Sequence, residues 1–312
     1  MNIQDIQKLY GVLPQGNALI KTMEEKSVRT VFLQGLLASA TPMFFASIVK
    51  RWQKTVLFVL NDNDEAGYFY NDLKTIAMPE NEKDQTAEVL FFPSSYRRAV
   101  KYGQRDAGNE ILRTEVLSHL SVINEEKTTS SLPLCIVTEP SALAELVVAK
   151  HKLDEHTLSI SVGQTIDLTE TEKTLRSYGF QQVDYVYEPG QFAVRGSILD
   201  VYSFSSELPY RIDFFGNDVD TIRTFEVETQ LSKDKKEKVE IVPELATLSE
   251  EKIPFLQFLP KESVLVMKDL LYIHDTIERI YNEGFTAQAL TEQLEGKTEI
   301  EQNELRKQLQ AN

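Results

Sequence analysis

Between residues 210 and 214 apolar and charged positions alternate, so that Tyr210, Ile212 and Phe214 fall on one side and Arg211 and Asp213, followed by Phe215, on the other. A period of two predicts a strand with one buried face and one face shown to solvent. Gly216-Asn217-Asp218 supplies a turn, and the β-branched and aromatic run at 219–225 predicts the returning strand of a hairpin. Upstream, residues 192–202 predict another strand. Gly196 stands where a bulge or a close backbone approach is expected, with Arg195 beside it.

The first half of the chain has a different rhythm. Residues 30–34 predict a short strand, 42–52 a helix, and 55–60 a continuously apolar strand of the parallel-sheet kind. Asp62-Asn63-Asp64 caps a helix from 65 to about 76. Residues 88–92 and 134–138 predict further strands and 107–120 a helix, with a polar loop at 124–133. Alternating strands and helices predict a doubly wound α/β sheet. An apolar helical stretch at 141–153 follows, then a helix at 168–178 closed by Gly179. Beyond Gln230, the mixed charges at 232–238 predict a hairpin tip or an exposed crossing. Strands are expected at 239–242 and 263–267 and a helix at 270–283. The closing pattern TEQLEGKTEIEQNELRKQLQAN is polar, helical and uncapped, as in a chain that continues.

A length of 312 residues allows two domains with real cores. Hydrophobic residues make up 42% and charged residues 26%, which excludes large-scale disorder. The single cysteine, Cys135, lies in an apolar run, which excludes an internal disulfide, fits a reducing cytoplasm and predicts a small core residue. The amino terminus lacks a basic region followed by an apolar stretch, and no apolar run is long enough to span a membrane. A formal charge of −15 weighs against nucleic acid as the main ligand, since such binding draws its affinity from cations at phosphates. Arg97, Arg98, Lys101 and Arg105, interleaved with Tyr96 and Tyr102, are the local exception that would suit a single strand. In so acidic a chain, solvated loop charges are the favoured account of them.

Residues 31–49 merit testing as a phosphate loop, which needs Gly, four residues, then Gly-Lys and a hydroxyl to surround phosphate and hold magnesium. Gly35-Leu36-Leu37-Ala38-Ser39-Ala40-Thr41-Pro42 keeps the spacing and loses the chemistry. Ala40 replaces the glycine, Thr41 the lysine, and Pro42 the hydroxyl while removing a backbone donor. Asp62, Asp64 and Glu65 resemble an acidic helicase box, but a helix cap with first-turn acids explains them. Gly103 and Gly108 lack dinucleotide-binding spacing. His119, His151, His156 and His274 show no metal-ligand spacing, and no nucleophile elbow occurs, so no metal and no catalytic residue is expected.

The series YEPGQFAVRGSILD at 187–200, followed by LPYRIDFFG at 208–216, closely resembles the second domain shared by the excision-repair protein UvrB and the bacterial transcription-repair coupling factor (Mfd) family. The Glu-Pro-Gly-Gln-Phe lead and the Ser-Glu-Leu-Pro-Tyr-Arg run favour the coupling factors. The resemblance spans about forty residues, far more than a short phosphate-loop pattern, and weaker similarity extends along the chain. It implies an α/β fold: a degenerate P-loop-type, RecA/helicase-like doubly wound parallel sheet with an inserted α+β UvrA-interaction domain. On that resemblance residues 1–141 form the first part of the degenerate nucleotide domain, 142–230 the inserted domain, and 231–312 the return segment. Loss of the phosphate loop at Gly35, Ala40, Thr41 and Pro42 matches the coupling factors rather than UvrB, whose loop is intact. The stretch at 93–109, where UvrB carries an aromatic DNA-clamping hairpin, has only Tyr96 and Tyr102.

The resemblance further implies a non-catalytic, cytoplasmic recruitment module that binds UvrA, the damage-sensing ATPase. RNA polymerase, DNA, ATP and magnesium would be engaged only through domains outside this sequence, and intramolecular contacts with those domains would mask the binding face. Arg195, Arg211 and Asp213 match positions that the family uses against UvrA, and bidentate, charge-assisted bonds are the chemistry that such a contact needs. The pattern alone fits a cross-strand ion pair equally well. Tyr202 and Phe215 are either apolar anchors or core, and Arg223 is a secondary candidate. Gln182 and Ala193 stand where UvrB-like sequences often place arginines. Two alternatives stay open: an ATP-dependent DNA-damage verifier of the UvrB kind, and a purely intramolecular regulatory domain.

Overall fold

Strands that are apolar at every position need cover on both faces, and the central strands of this chain receive it. The computed structural model describes residues 3–25, 27–79, 85–95, 107–125, 132–245 and 251–283. In chain order the first elements are α1 (Ile3–Gly11), α2 (Pro14–Glu24), α3 (Ala40–Trp52), β1 (Val56–Val59), α4 (Asn63–Ala77), β2 (Glu88–Phe92), α5 (Ala107–Glu125) and β3 (Leu134–Thr138). There follow α6 (Pro140–Ala144), β4 (Leu146–Val148), α7 (Lys150–Glu155), β5 (Leu158–Ser161), α8 (Leu168–Ser177), β6 (Gln181–Gln182), β7 (Gln191–Arg195) and β8 (Ile198–Val201). The remainder comprises β9 (Tyr210–Phe215), β10 (Asp218–Phe225), β11 (Ser232–Lys236), β12 (Lys238–Ile241), β13 (Lys252–Pro254), β14 (Val264–Met267) and α9 (Leu270–Glu283).

The first sheet is wholly parallel in the order β14-β1-β3-β2, with Val56 opposite both Val264 and Cys135. Strand alternation divides its side chains between two cores. Val56, Phe58, Val89, Cys135 and Val137 pack with Phe45, Ile48 and Leu73 from α3 and α4. Leu57, Val59, Leu90, Phe92 and Ile136 pack on the other side with Leu117 and Leu120 of α5, Phe255, and Ile273 of α9. Aromatic edges lock the layers: Phe45 meets Phe58 edge-on at 5.0 Å, and Phe92 stacks on Phe255 at 4.0 Å. Cys135 is fully buried, and burial pushes its thiol up to about 12, which keeps it protonated and inert. No helix among the described residues is long and apolar enough to cross a membrane.

The second sheet has six strands in the order β11-β10-β9-β8-β7-β6, antiparallel except for the β6–β7 pair. One face packs Phe192, Leu199, Val201, Ile212, Phe214 and Ile222 against Leu175 of α8, Ile160 of β5 and Ile241 of β12. Smaller antiparallel pairs, β5 with β12 and β4 with β13, tie residues before this sheet to residues after it.

Four expectations are corrected. Residues 30–34 form no strand: β14 and β3 occupy both edges of β1, and Phe32 stays 87% exposed. Residues 141–153 are not one helix, because the chain turns extended at Glu145 and Leu146–Val148 pairs with β13. That apolar run had no periodicity to separate strand from helix. Residues 192–202 are two strands of a hairpin, with Gly196 at φ +63° making the reversal in place of a bulge. The charged run at 232–238 contributes β11, exposed at every position, which is why no alternation marked it. Arg97, Arg98, Lys101, Arg105, Tyr96, Tyr102 and Gly103, together with the closing pattern at 291–312, lie outside the described residues.

A buried ion pair fastens α5 to the turn between α6 and β4. Arg113 Nη2 lies 3.2 Å from Glu145 Oε2, Arg113 Nη1 donates to the Pro93 carbonyl at 2.8 Å, and the guanidinium sits 4.2 Å from the Phe92 ring centre. Glu145 also accepts from Ser94 Oγ at 2.6 Å and the Ser95 N–H at 2.9 Å. Glu145→Ala strands the arginine in the interior and is expected to cost about 3–5 kcal/mol in urea unfolding; a loss below about 1 kcal/mol would show that the network carries little.

A titrating contact lies nearby, where His119 Nδ1 of α5 is 3.3 Å from Glu88 Oε1. Burial disfavours the imidazolium, but the hydrogen bond and charge of Glu88, with the charges of Glu115 and Glu240, outweigh it and hold the pKa above 6.5. A raised folded pKa stabilises below the unfolded value and is lost as pH rises through the folded one. Burial raises the Glu115 carboxyl as well, which acts in the same direction. The melting temperature is therefore expected to fall as pH climbs from about 6.5, and His119→Gln should shrink that fall, as read by calorimetry.

Candidate partner-binding face

The face of the six-stranded sheet turned away from its core carries the charges. Alternation along β9 sends Tyr210, Ile212 and Phe214 inward and leaves Arg211, Asp213 and Phe215 on the opposite side. Register places Asp200 of β8 opposite Arg211, and Arg211 opposite Arg223 of β10, while Asp213 stands between Ile198 and Thr221 in the next row. The Gly196 hairpin folds Arg195 back against Ile198 in that same row.

Asp200 has no exposed surface and accepts from two arginines. Arg211 binds it in bidentate fashion, Nε to Oδ1 at 2.7 Å and Nη2 to Oδ2 at 2.8 Å, and Arg195 Nη2 also donates to Oδ2. Arg211 Nη1 donates to the Gln230 carbonyl at 3.1 Å, and its guanidinium lies 4.4 Å from the ring centre of buried Phe225. The hydrogen bond to Asp200 holds the Arg211 pKa above its already high value, so the cation is permanent. Arg195 lies 4.9 Å from the Tyr185 ring centre. Asp213 accepts from Arg223 Nη2 and from Thr221 Oγ1 at 2.7 Å.

These residues differ in what they offer to a visitor. Arg195 and Arg223 keep 33% of their side chains exposed, Arg211 14%, and Phe215 at the end of β9 is 83% exposed. Tyr202 is in the interior, clustered with Val186, Ala193 and Phe225, and its hydroxyl donates to the Glu207 carbonyl at 2.7 Å. Gln182 lies on the outermost strand β6, where it accepts from Arg176 of α8. An open cleft beside it is lined by Gln182, Val183, Asp184, Tyr185, Val194 and Arg195. Sequence reasoning missed Asp200 as the organiser and Tyr185 as the platform under Arg195. A charged residue amid the apolar run Ile198 to Tyr202 was the available signal.

The loop at 35–42 runs into α3 with Gly35 at φ +92° and Ala38 at +46°. The Ala40 N–H donates to the Leu37 carbonyl at 3.0 Å and the Thr41 N–H to the Ala38 carbonyl at 3.2 Å, while Pro42 has no donor and is buried. Asp62 caps α4 through the Glu65 N–H at 2.9 Å, and Glu65 pairs with Lys268. His274, Asp275 and Glu278 bring ligand-type atoms within 4.8 Å of one another on the exposed side of α9, a grouping that the sequence spacing had not flagged.

Asp200→Ala leaves two guanidinium groups without their buried counter-charge. A loss of about 3–5 kcal/mol in denaturant unfolding is expected, together with faster exchange of the β8 and β9 amides.

Residues 158–246 match the family described as the UvrB interaction domain. The transcription-repair-coupling factor of Escherichia coli (strain K12) is 33% identical over 108 residues, 35% of this chain and 9% of that protein. That of Haemophilus influenzae is 28% identical over 156 residues, 50% of this chain and 13% of that protein. That of Bacillus subtilis (strain 168) is 26% identical over 237 residues, 73% of this chain and 18% of that protein. The matched part thus spans less than a fifth of each of these relatives. Residues 158–246 thus carry the match to the UvrB interaction domain, within a sequence that is similar over as much as 73% of its length to a transcription-repair-coupling factor.

Proposed function

We propose that this chain is the UvrA-recruiting part of a transcription-repair coupling factor, which links stalled transcription to nucleotide excision repair by binding UvrA and performs no chemistry itself. One observation carries the reading: within the segment that matches the UvrB interaction domain, half-buried Arg195 and Arg223 and exposed Phe215 stand around an Arg211 already fixed by buried Asp200. Cations held in place before contact lose little side-chain freedom on binding, so more of each charge-assisted bond appears as affinity. Phe215 supplies the apolar anchor. Gln182 and the neighbouring cleft lie at the rim, Asp213 orients Arg223, and Tyr202 supports the face from within.

The non-catalytic part of the reading draws on the loop before α3. A phosphate site needs free backbone N–H groups at a helix start, whereas those of Ala40 and Thr41 are bonded to loop carbonyls and Pro42 has none. The loop at Gly35 to Pro42 is, on this reading, a nucleotide site that has lost its function in a P-loop-type scaffold. ATP, magnesium, RNA polymerase and DNA would be handled by other domains of the longer protein, in the cytoplasm, and contacts with those domains would mask this face.

Because Arg211→Glu would also repel Asp200, the informative substitutions are Arg195→Ala and Phe215→Ala. Each is expected to weaken UvrA binding by about 2 kcal/mol or more in calorimetric titration, with the unfolding midpoint checked alongside. Wild-type affinity in both folded variants would remove the proposed face.

A further inference from the structure

We infer that the docking face extends across the sheet to Lys235 on the edge strand β11, and that the transverse row Arg211, Arg223, Lys235 receives a carboxylate-bearing segment of the partner protein. The inference rests on the reading of this face as the UvrA-binding surface and adds the chemistry and direction of the footprint. Register carries it: Arg223 of β10 stands directly opposite Arg211 on one side and directly opposite Lys235 on the other. Like charges set opposite one another across strands weaken a sheet, so the fold gains nothing from three in a row.

The local carboxylates do not neutralise this row. Asp200 is engaged by Arg195 and Arg211, and Asp213 by Arg223 and Thr221. Arg223 places one Nη2 on Asp213 and its Nε–H has no acceptor. Lys235 makes no ion pair among the described residues, and every position of β11 is exposed. Four cations, Arg195, Arg211, Arg223 and Lys235, therefore share two bonded carboxylates, with Asp184 lining the cleft beside Arg195, in a chain whose formal charge is −15. A lysine on an edge strand discourages unwanted strand pairing, but that role is indifferent to what lies across from it and works as well with glutamate.

The surplus is small and compact, which suits a few carboxylates presented by a protein. A nucleic acid would require a longer track of cations to follow successive phosphates, and the acidic remainder of the chain would oppose it. Electrostatic pairing of this kind shows first in association rate and its salt dependence.

The test uses the full chain with UvrA, comparing Lys235→Glu with Lys261→Glu, an equal charge change at an exposed loop position remote from this row in the sequence. Lys235→Glu is expected to slow association about 3- to 10-fold at low salt and flatten its salt dependence, without lowering the unfolding midpoint. The control should stay within about twofold. A parallel titration with a polyglutamate peptide, followed by amide NMR, should shift Arg223 and Lys235 in the wild type and not in Lys235→Glu. UvrA binding with Lys235→Glu behaving as the control overturns the inference and leaves recruitment standing. Peptide binding at the row without UvrA binding keeps the acidic-segment chemistry and removes UvrA as its source. Stronger shifts from duplex DNA than from the peptide, or no response to either UvrA or peptide, overturn the proposal.

Discussion

A carboxylate with no solvent contact survives in a folded protein only if its charge is matched at close range, and Asp200 is matched twice. The arginines that match it come from different strands, Arg195 before the β7–β8 hairpin turn and Arg211 from β9. Each is therefore held in one rotamer by a partner it cannot leave cheaply. Phe225 beneath Arg211 and Tyr185 beside Arg195 complete the cradle. The outer face of the sheet is thus a rigid array of donors, and the exposed parts of Arg195, Arg223 and Phe215 take their positions from it.

The two sheets divide the labour of the chain by the character of their faces. The parallel sheet is apolar on both sides and packed against helices, with Leu265 and Met267 of the edge strand β14 left exposed. The six-stranded sheet commits one face to the main core and sets its charges on the other, over a small apolar cluster of Ala193, Tyr202 and Phe225. Around α5, burial raises the Glu115 carboxyl with a further push from the charge of Glu207, and His119, against the pull of burial, is raised by Glu88, Glu115 and Glu240.

Much of this was legible in the residues. Alternation at Tyr210 to Phe215 assigned each side chain of β9 to its side, the apolar run at Val56 to Val59 marked a doubly covered strand, and Asp62 caps α4 as its position indicated. Asp200 as a clamp was not legible, because period-two alternation says which side of a strand a residue faces but not which strand lies beside it. Tyr202 was ambiguous for a related reason: its phenol suits a wet rim as well as an interior with one acceptor, and only the Glu207 carbonyl decides. Residues 30–34 looked like a strand on local preference, but β14 and β3 already pair with β1 on both sides and Phe32 stays exposed, so local preference had no sheet partner to act on.

The strand that fills one of those edges, β14, comes from far along the chain: its neighbour Lys268 meets Glu65 across a separation of 203 residues. During synthesis, β1 emerges long before its outer partner, with one apolar edge unpaired while the whole six-stranded sheet is being made. The intervening sheet closes largely through neighbouring hairpins and is able to mature first. Completion of the scaffold is then the last step, and a nascent chain halted before β14 would display its six-stranded sheet on an unfinished base.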